Sequence, residues 1–326
     1  MIKGEPVASA GHRADGADCA VIVVTYNSER DIAGLLDSLP EAAGGLTLRV
    51  IIVDNDSADR TAEIVRSRSG VQYVSAGANL GYAGGINLGR EHAGECAAVA
   101  VLNPDLALEP GCLRELFTAL EDPAAGMVVP ALIEPDGSVY PSLRREPSLT
   151  RALGDAVLGA RLGGRPGWLT ETVRAPEEYG SRHAVDWAGG AAQMVSAACD
   201  RAVGPWDERF FLYSEEVDYA TRARAAGFRV DYVPAARARH RGSGSGQSPA
   251  LCALASVSRV KYAEKHGRHP RAYRAVVILD ALLRSTSRGH RLALRTVCRR
   301  HSWEPLVATL KARQAPVSPA QQSVRV

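Results

Sequence analysis

Four apolar runs recur along the first third of the chain, each ending in polar residues and each followed by a segment of helical periodicity. CAVIVVT (19–25) is continuous and β-branched, as a strand buried on both faces should be, and it ends in TYNSE ahead of ERDIAGLLDSL. LRVIIVD (48–54) ends in DNDSADRTAEIV, VQYVSA (71–76) in GANLGYAGGINLG, and AAVAVL (97–102) in NPD before PGCLRELFTAL. This strand–turn–helix beat predicts an α/β fold, a mostly parallel central sheet flanked by helices. Ligands of such sheets sit beyond the carboxyl ends of the strands. Here all four of those ends are polar: Thr25 and Asn27, Asp54 and Asp56, Asn79, then Asn103 and Asp105.

Further along, the periodicity changes character. Residues 141–185 lose it, as a surface excursion would. SEEVDYATRARAAG predicts a short helix, with Ser214 at its N-cap, acidic residues in its first turn and Gly227 as its stop. FRVDYV is strand-like and leads through an arginine-rich turn to His240, and GSGSGQS (242–248) has the composition of a lid or linker. Beyond Pro249 the segments LCALASVSRVKYAEKHG, PRAYRAVVILDALLRSTSRG and RLALRTVCRRHSWEPLVATLKAR carry apolar residues at three-to-four spacing. The pattern thus divides the chain into a loose leader (1–18), an α/β body (19–249), a basic helical region (250–314) and a disordered tail (315–326).

Composition narrows this picture. With 326 residues, 46% of them hydrophobic, the chain can bury a large core, and no apolar run approaches the roughly 18 residues of a membrane span. The N-terminus lacks the apolar centre of a signal peptide. Six cysteines without a CxxC pair argue against zinc and against a disulfide framework, and point to a reducing cytoplasm. The net charge of +3 conceals an asymmetry: residues 1–249 hold 24 Lys/Arg against 33 Asp/Glu, residues 250–326 hold 15 against 3. An acidic body with a basic tail suits a tail that meets anions. Its helices either pack on the body with a solvated basic face, or lie peripherally on the inner face of a membrane. Nucleic acid is not expected, because the tail lacks interleaved aromatics and known binding motifs.

Candidate chemistry gathers around WDERFFLYSEEVDY (206–219), which sets Glu215, Glu216 and Asp218 among apolar and aromatic neighbours. Such surroundings raise a carboxyl pKa towards that of a working base, although acids opening a helix are also an ordinary match to its dipole. GYAGG (81–85) is not a dinucleotide fingerprint, since no glycine follows the first strand; close backbone approach to a ligand at a helix start is the better use. Asp105, delivered to the sheet edge after Pro104, and His240 would together with phosphate oxygens suit Mn²⁺ or Mg²⁺.

Taken together, VVTYNS, VDNDSAD, NLGYAGGIN, LNPD and WAGGAAQMVSAACDRAVGPWDERFFLYSEEVDYATR resemble the family 2 glycosyltransferases of GT-A fold, nearest their rhamnosyltransferase-like branch. The resemblance covers roughly residues 20–242, with the motifs in the family's order. It implies a metal-dependent, inverting transfer of a sugar, rhamnose-like or another hexose, from a nucleoside-diphosphate donor to an acceptor hydroxyl. It further implies that Thr25, Asn27 and Asp54 hold base and ribose, with Asp56 beside them, and that Asn79 and Asn87 line the donor pocket. Asn103 and Asp105 fall at the family's DxD position, Asp105 being the metal carboxylate and His240 completing the site. Glu215 and Glu216 match the usual Glu-Asp pair, whose second member is the base. The chain departs by carrying Asn first in DxD and Glu second in the pair. Residues 141–185 sit where such enzymes insert an acceptor-facing segment, the alternative to a surface excursion.

Gly189 and Gly190 would let backbone approach the sugar, or form a tight packing turn. The acceptor is a glycan, a lipid-linked glycan or a small metabolite. Two other readings share the sheet: a sugar nucleotidyltransferase, which should carry a basic glycine-rich loop after its first strand, and an inactive sugar-binding scaffold, which need not keep Asp105, Glu216 and His240 together.

Overall fold

The computed structural model describes residues 16–159, 164–240 and 248–312. The four apolar runs become β1 (Ala17–Thr25), β2 (Leu48–Asp54), β3 (Val71–Ser75) and β4 (Cys96–Leu102). They alternate with α1 (Ile32–Ala43), α2 (Thr61–Arg66) and α3 (Gly81–Glu91). All four strands pair in parallel, in the order β3-β2-β1-β4. Every residue of β1 from Cys19 to Thr25 is buried, because the two faces are covered alike. Val21 and Val23 pack with Leu35 and Leu39 of α1, whereas Ile22 and Val24 pack with Ala83 and Ile86 of α3.

After β4 the chain makes β5 (Leu106–Leu108), α4 (Cys112–Ala119), β6 (Ala125–Ile133), β7 (Leu143–Arg144) and α5 (Leu149–Leu158). Then come β8 (His183–Val185), β9 (Trp187–Ala188), β10 (Ala192–Ser196), α6 (Ala197–Val203), α7 (Glu215–Ala225) and β11 (Arg229–His240). The main sheet runs β3-β2-β1-β4-β10-β6-β11-β5, with β8 also on β11, and β7 pairs β9 apart from it. β10 is antiparallel to both neighbours, so the sheet is mixed in its second half.

Three details depart from the sequence pattern. The arginine-rich turn before His240 is strand: β11 continues through it, alternating buried Ala236 and Ala238 with Arg237 and Arg239, and so keeps a period of two. β6 is fully buried in spite of Pro130, which cannot donate to a ladder; β11 shifts register between Val233 and Arg237, beside that proline. β5 is only three residues long, below the length at which periodicity is readable.

The basic region forms α8 (Pro249–Lys265), α9 (Pro270–Leu283), α10 (Arg288–Cys298) and α11 (Trp303–Lys311). It packs on the body: Tyr262 of α8 closes on Phe210 and Val217, and Ala152 of α5 joins a cluster with Val257, Val260, Tyr273, Val277 and Trp303. Among the described residues no helix is long and apolar enough to cross a membrane. Of the expected lid or linker, only Ser248 is described, where its hydroxyl caps α8; the expected disordered tail lies outside the described residues, as do residues 1–15 of the leader. A mixed, mostly parallel sheet flanked by helices and followed by a helical extension is the GT-A architecture that the resemblance implied.

Candidate active site

The parallel strands deliver their polar ends to one edge. At β2 the Asp54 carboxylate accepts from the Thr25 hydroxyl (3.1 Å), the Ser57 hydroxyl and Tyr73 Oη (2.9 Å), and Arg66 stacks over that tyrosine ring. Thr25 is wholly buried, so its hydroxyl holds Asp54 in place. Exposed Asn27 and half-buried Asp56 both adopt left-handed backbone, φ 54° and 65°, which asparagine and aspartate tolerate. The Asn27 Oδ1 accepts from Ala58 N–H at 2.8 Å and ties the two loops.

Asn79 Oδ1 accepts from Gly81 N–H (3.0 Å) at the start of α3. The glycines of this helix make room for packing within the protein. A methyl at Gly81 would stand 2.2 Å from the Phe211 carbonyl, at Gly85 2.6 Å from Val24, and at Gly89 2.5 Å from Ile22. Gly85 and Gly89, four apart, let α3 lie close on β1, while Gly81 makes room for the Phe211 backbone. Asn87 sits one turn on, with its amide oxygen accepting from Trp206 N–H and its Nδ2 donating to the Trp206 carbonyl and to Glu208. Its amide is thereby committed to the loop that precedes the carboxylates.

Asn103 follows β4, its N–H bound to the Ala191 carbonyl and its Oδ1 accepting from Tyr82 Oη at 2.9 Å. Two residues on, Asp105 opens β5. Because β5 pairs antiparallel with β11 in a register that sets Leu106 opposite His240, the imidazole is carried to Asp105, with Nε2 and Oδ2 3.2 Å apart. Their angle is wrong for a hydrogen bond, and the buried Nε2 has no other partner. The contact is that of an ion pair, present when the imidazole is protonated. Among the described residues no group of three or more His, Cys, Asp and Glu side chains is placed to hold a metal.

The carboxylates open α7. Tyr213 and Ser214, which precede it, both have left-handed backbone (φ 69° and 67°), and Ser214 makes no side-chain cap. Glu215 is 4% exposed and Glu216 half-buried; each keeps one buried carboxyl oxygen without a hydrogen-bond partner. Burial, then the neighbouring Glu216 charge, pushes Glu215 well above the usual carboxylate range. Burial also raises Glu216, against a helix amide and the Arg144 charge, which lower it. Glu216 lies beside Gly190, where a methyl would stand 3.4 Å from its Cβ, so the glycine packs against the carboxylate arm in ordinary contact. Gly189 has open space around it. Asp218 faces elsewhere, as the 100° helical step requires: fully buried, it bonds Arg222 (2.9 Å), Lys265 (2.5 Å) and His266 (2.8 Å).

Tyr82 went unremarked in the sequence. Its ring hydroxyl joins Asn103 and reaches the Gly190 carbonyl at 3.4 Å, its N–H bonds the Phe211 carbonyl, and burial together with the charges of Glu215, Glu216 and Asp105 drives its pKa up. It therefore stands among Glu215, Glu216 and Asp105. A tyrosine with a polar reach amid a glycine-rich helix start was the available signal.

The family model described as glycosyl transferase family 2 matches residues 20–171. An N-acetylglucosaminyl-diphospho-decaprenol L-rhamnosyltransferase of Mycobacterium tuberculosis is 35% identical over 289 residues, spanning 85% of this chain and 91% of that protein. The rhamnosyltransferase WbbL of Escherichia coli is 26% identical, over 68% of this chain and 82% of its own length. In fold, a mannosyltransferase of Pyrobaculum calidifontis solved with GDP-Man and Mn²⁺ superposes with a TM-score of 0.51 at 17% identity, over 94% of this chain and 82% of that one.

Proposed function

Since the chain belongs to glycosyl transferase family 2, an inverting glycosyltransferase using a nucleoside-diphosphate sugar, we propose that it moves L-rhamnose onto a polyprenyl-diphosphate-linked N-acetylhexosamine. The donor and acceptor follow from the likeness to the mycobacterial enzyme, which spans nearly the whole of both chains. The single observation that carries the catalytic reading is the sheet edge itself, where Asp105 and His240 converge to 3.2 Å and Tyr82 feels the charges of Asp105, buried Glu215 and half-buried Glu216 together.

In this reading Asp54, Asn27 and Asp56 meet the nucleoside, with Thr25 fixing Asp54. Asn79 and Asn103 face the donor, with Tyr82 orienting Asn103, and Gly189 offers backbone to the sugar. Asp105 and His240 would hold a divalent cation, Mn²⁺ or Mg²⁺, whose charge stabilises the departing diphosphate. Glu216 accepts the proton of the acceptor hydroxyl as that oxygen attacks the anomeric carbon opposite the leaving nucleoside diphosphate, so the configuration inverts. Glu215 lies beside it, its carboxyl pushed well above the usual range by burial and by the Glu216 charge. A lipid-linked acceptor also brings the enzyme to a membrane surface.

Incubating the enzyme with nucleoside-diphosphate L-rhamnose and the lipid-linked acceptor should add one deoxyhexose by mass spectrometry. EDTA should abolish the gain and Mn²⁺ or Mg²⁺ restore it. Asp105→Ala and His240→Ala should each weaken Mn²⁺ binding by calorimetry as well as activity; an unchanged metal titration in both would remove the metal site from the reading.

A further inference from the structure

Six of the eight large apolar side chains left open among the described residues lie on one face: Leu153, Val157 and Leu158 of α5, Trp168, and Leu282 and Leu283 at the end of α9. Their exposures run from 43% at Leu153 to 61% at Trp168. Leu153 and Val157 are four apart and share a side of α5, about 100° round from the buried Ala152 and Ala156. The turn carrying Trp168 is seated on α5: the Leu169 carbonyl abuts Gly154, and the Arg165 guanidinium bonds the carbonyls of both. The end of α9 is tied to the last turn of α5 by Arg284, which donates to the carbonyls of Asp155 (2.9 Å) and Ala156 (3.2 Å). The six side chains are thus one patch on a fixed framework.

A stripe of positive charge continues from its edge. Arg288, Arg291, Arg295 and Arg299 are exposed and recur at helical spacing along α10, whose other side buries Gly289, Ala293, Thr296 and Val297. Among the described residues none of these four arginines has a carboxylate partner. Arg291 reaches back to the carbonyls of Ser285 (2.9 Å) and Thr286 (2.7 Å), two and three residues past Leu283, so the stripe begins where the patch ends.

We propose that this face docks on an anionic bilayer, its leucines, Val157 and Trp168 entering the interface while the α10 arginines meet lipid phosphates. The charge decides the partner: apolar side chains bordered by unpaired arginines match a surface that is apolar within and anionic at its headgroups. A nucleic acid would take the stripe and leave the patch open to water. A second copy across the same face would bring two arginine stripes together. The docking deepens the lipid-linked acceptor reading and rests on it for its purpose. Its geometry is apt, since α5 starts five residues after Arg144, which lies near Glu216. The binding itself is measured without any sugar substrate, so the two stand or fall separately.

The full chain is sedimented with vesicles of phosphatidylcholine, alone or doped with phosphatidylglycerol. It should bind the doped vesicles at least tenfold more tightly, in a salt-sensitive way, with a blue shift of tryptophan emission that Trp168→Phe removes. L282S/L283S and R288E/R291E/R295E should each lower that partition at least tenfold, while transfer to a short soluble acceptor is retained, which shows that both variants are folded. Equal binding to both vesicle types, or undiminished binding by both variants, would overturn the proposal. Self-association abolished by L282S/L283S, with no vesicle binding by the parent chain, would overturn it in favour of a second copy.

Discussion

At the scale of single residues, the site turns on two adjacent glutamates that do different work. Neighbours on a helix point about 100° apart, so they meet different surroundings, and Glu215 is the more deeply buried. Burial raises both carboxyls, and Glu216 is the one that the proposed function makes the base. Because burial raises the Glu216 pKa, the base is lost on acidification sooner than an ordinary glutamate would be. The acid limb of kcat should therefore lie above the usual carboxylate pKa of about 4.3. Glu216→Gln should cut kcat by roughly 10²–10⁴ with donor affinity kept, whereas Glu215→Gln, which mimics the protonated form, should retain far more activity. Stopped assays from acid to neutral pH, with donor binding by calorimetry, check both; a dead Glu215→Gln beside a normal Glu216→Gln would reverse the roles. The sequence carried the carboxylates and the aromatic run before them. It did not carry their division of labour, nor Tyr82, because those depend on which distant groups the fold brings alongside.

Whole elements were legible in proportion to how they are buried. β3, at the sheet's edge, is half-buried and mixes Gln72 and Ser75 among its apolar residues, whereas β1, β2 and β4 are buried over most of their length and read as apolar runs. β5 and β6 did not, one for shortness and one for its proline, yet it is β5 that carries Asp105 to His240. The glycine-rich segment shows the converse: its composition was plain, but its packing role depended on knowing that α3 presses on β1 and on Phe211. Gly81 has φ +79° and its absent methyl would overlap the Phe211 carbonyl. Gly81→Ala should cost about 2–4 kcal/mol, left-handed strain plus overpacking against backbone. Since Tyr82 N–H bonds that same carbonyl, the loop leading to the glutamates should shift and kcat fall too. Thermal unfolding and steady-state kinetics on the one variant test both effects.

Across the molecule, the C-terminal helices act on the site from behind. Asp218 of α7 is clasped by Lys265 of α8 and by His266 just past its end, Lys265 also bonds Asp207, and Ser258 donates to the Leu212 carbonyl. Burial alone would raise the Asp218 pKa, but the bonds from His266 and Lys265 and the Arg222 charge hold it below the ordinary range. A depressed folded pKa contributes stability above the unfolded value, near 3.9, that is lost as pH falls through the folded one. Asp218→Asn should cost about 3–5 kcal/mol at neutral pH by leaving buried cations uncompensated, and the loss relative to the parent should shrink in strong acid. Denaturant melts at both pH values would show it; an unchanged midpoint would make α8 a passive neighbour. None of this was visible in the basic tail as sequence, where packing and a solvated face leave the same periodicity.

The two left-handed residues before α7 bear on how this enzyme could be hardened or could drift. Outside glycine such backbone costs on the order of 1 kcal/mol or more per residue, and here two stand in succession immediately before the base. A search for sturdier variants would find Ser214→Gly early, since glycine relieves the strain while giving some of the gain back as chain entropy, for a net rise of roughly 0.5–1 kcal/mol. The same change would loosen the pivot that aims Glu216, so the sturdier enzyme should be the slower one. Selection for heat tolerance and selection for turnover would pull this one position in opposite directions. Paired measurements of Tm and kcat on Ser214→Gly would read both pulls, and a gain in Tm at undiminished kcat would mean the strain is incidental to catalysis.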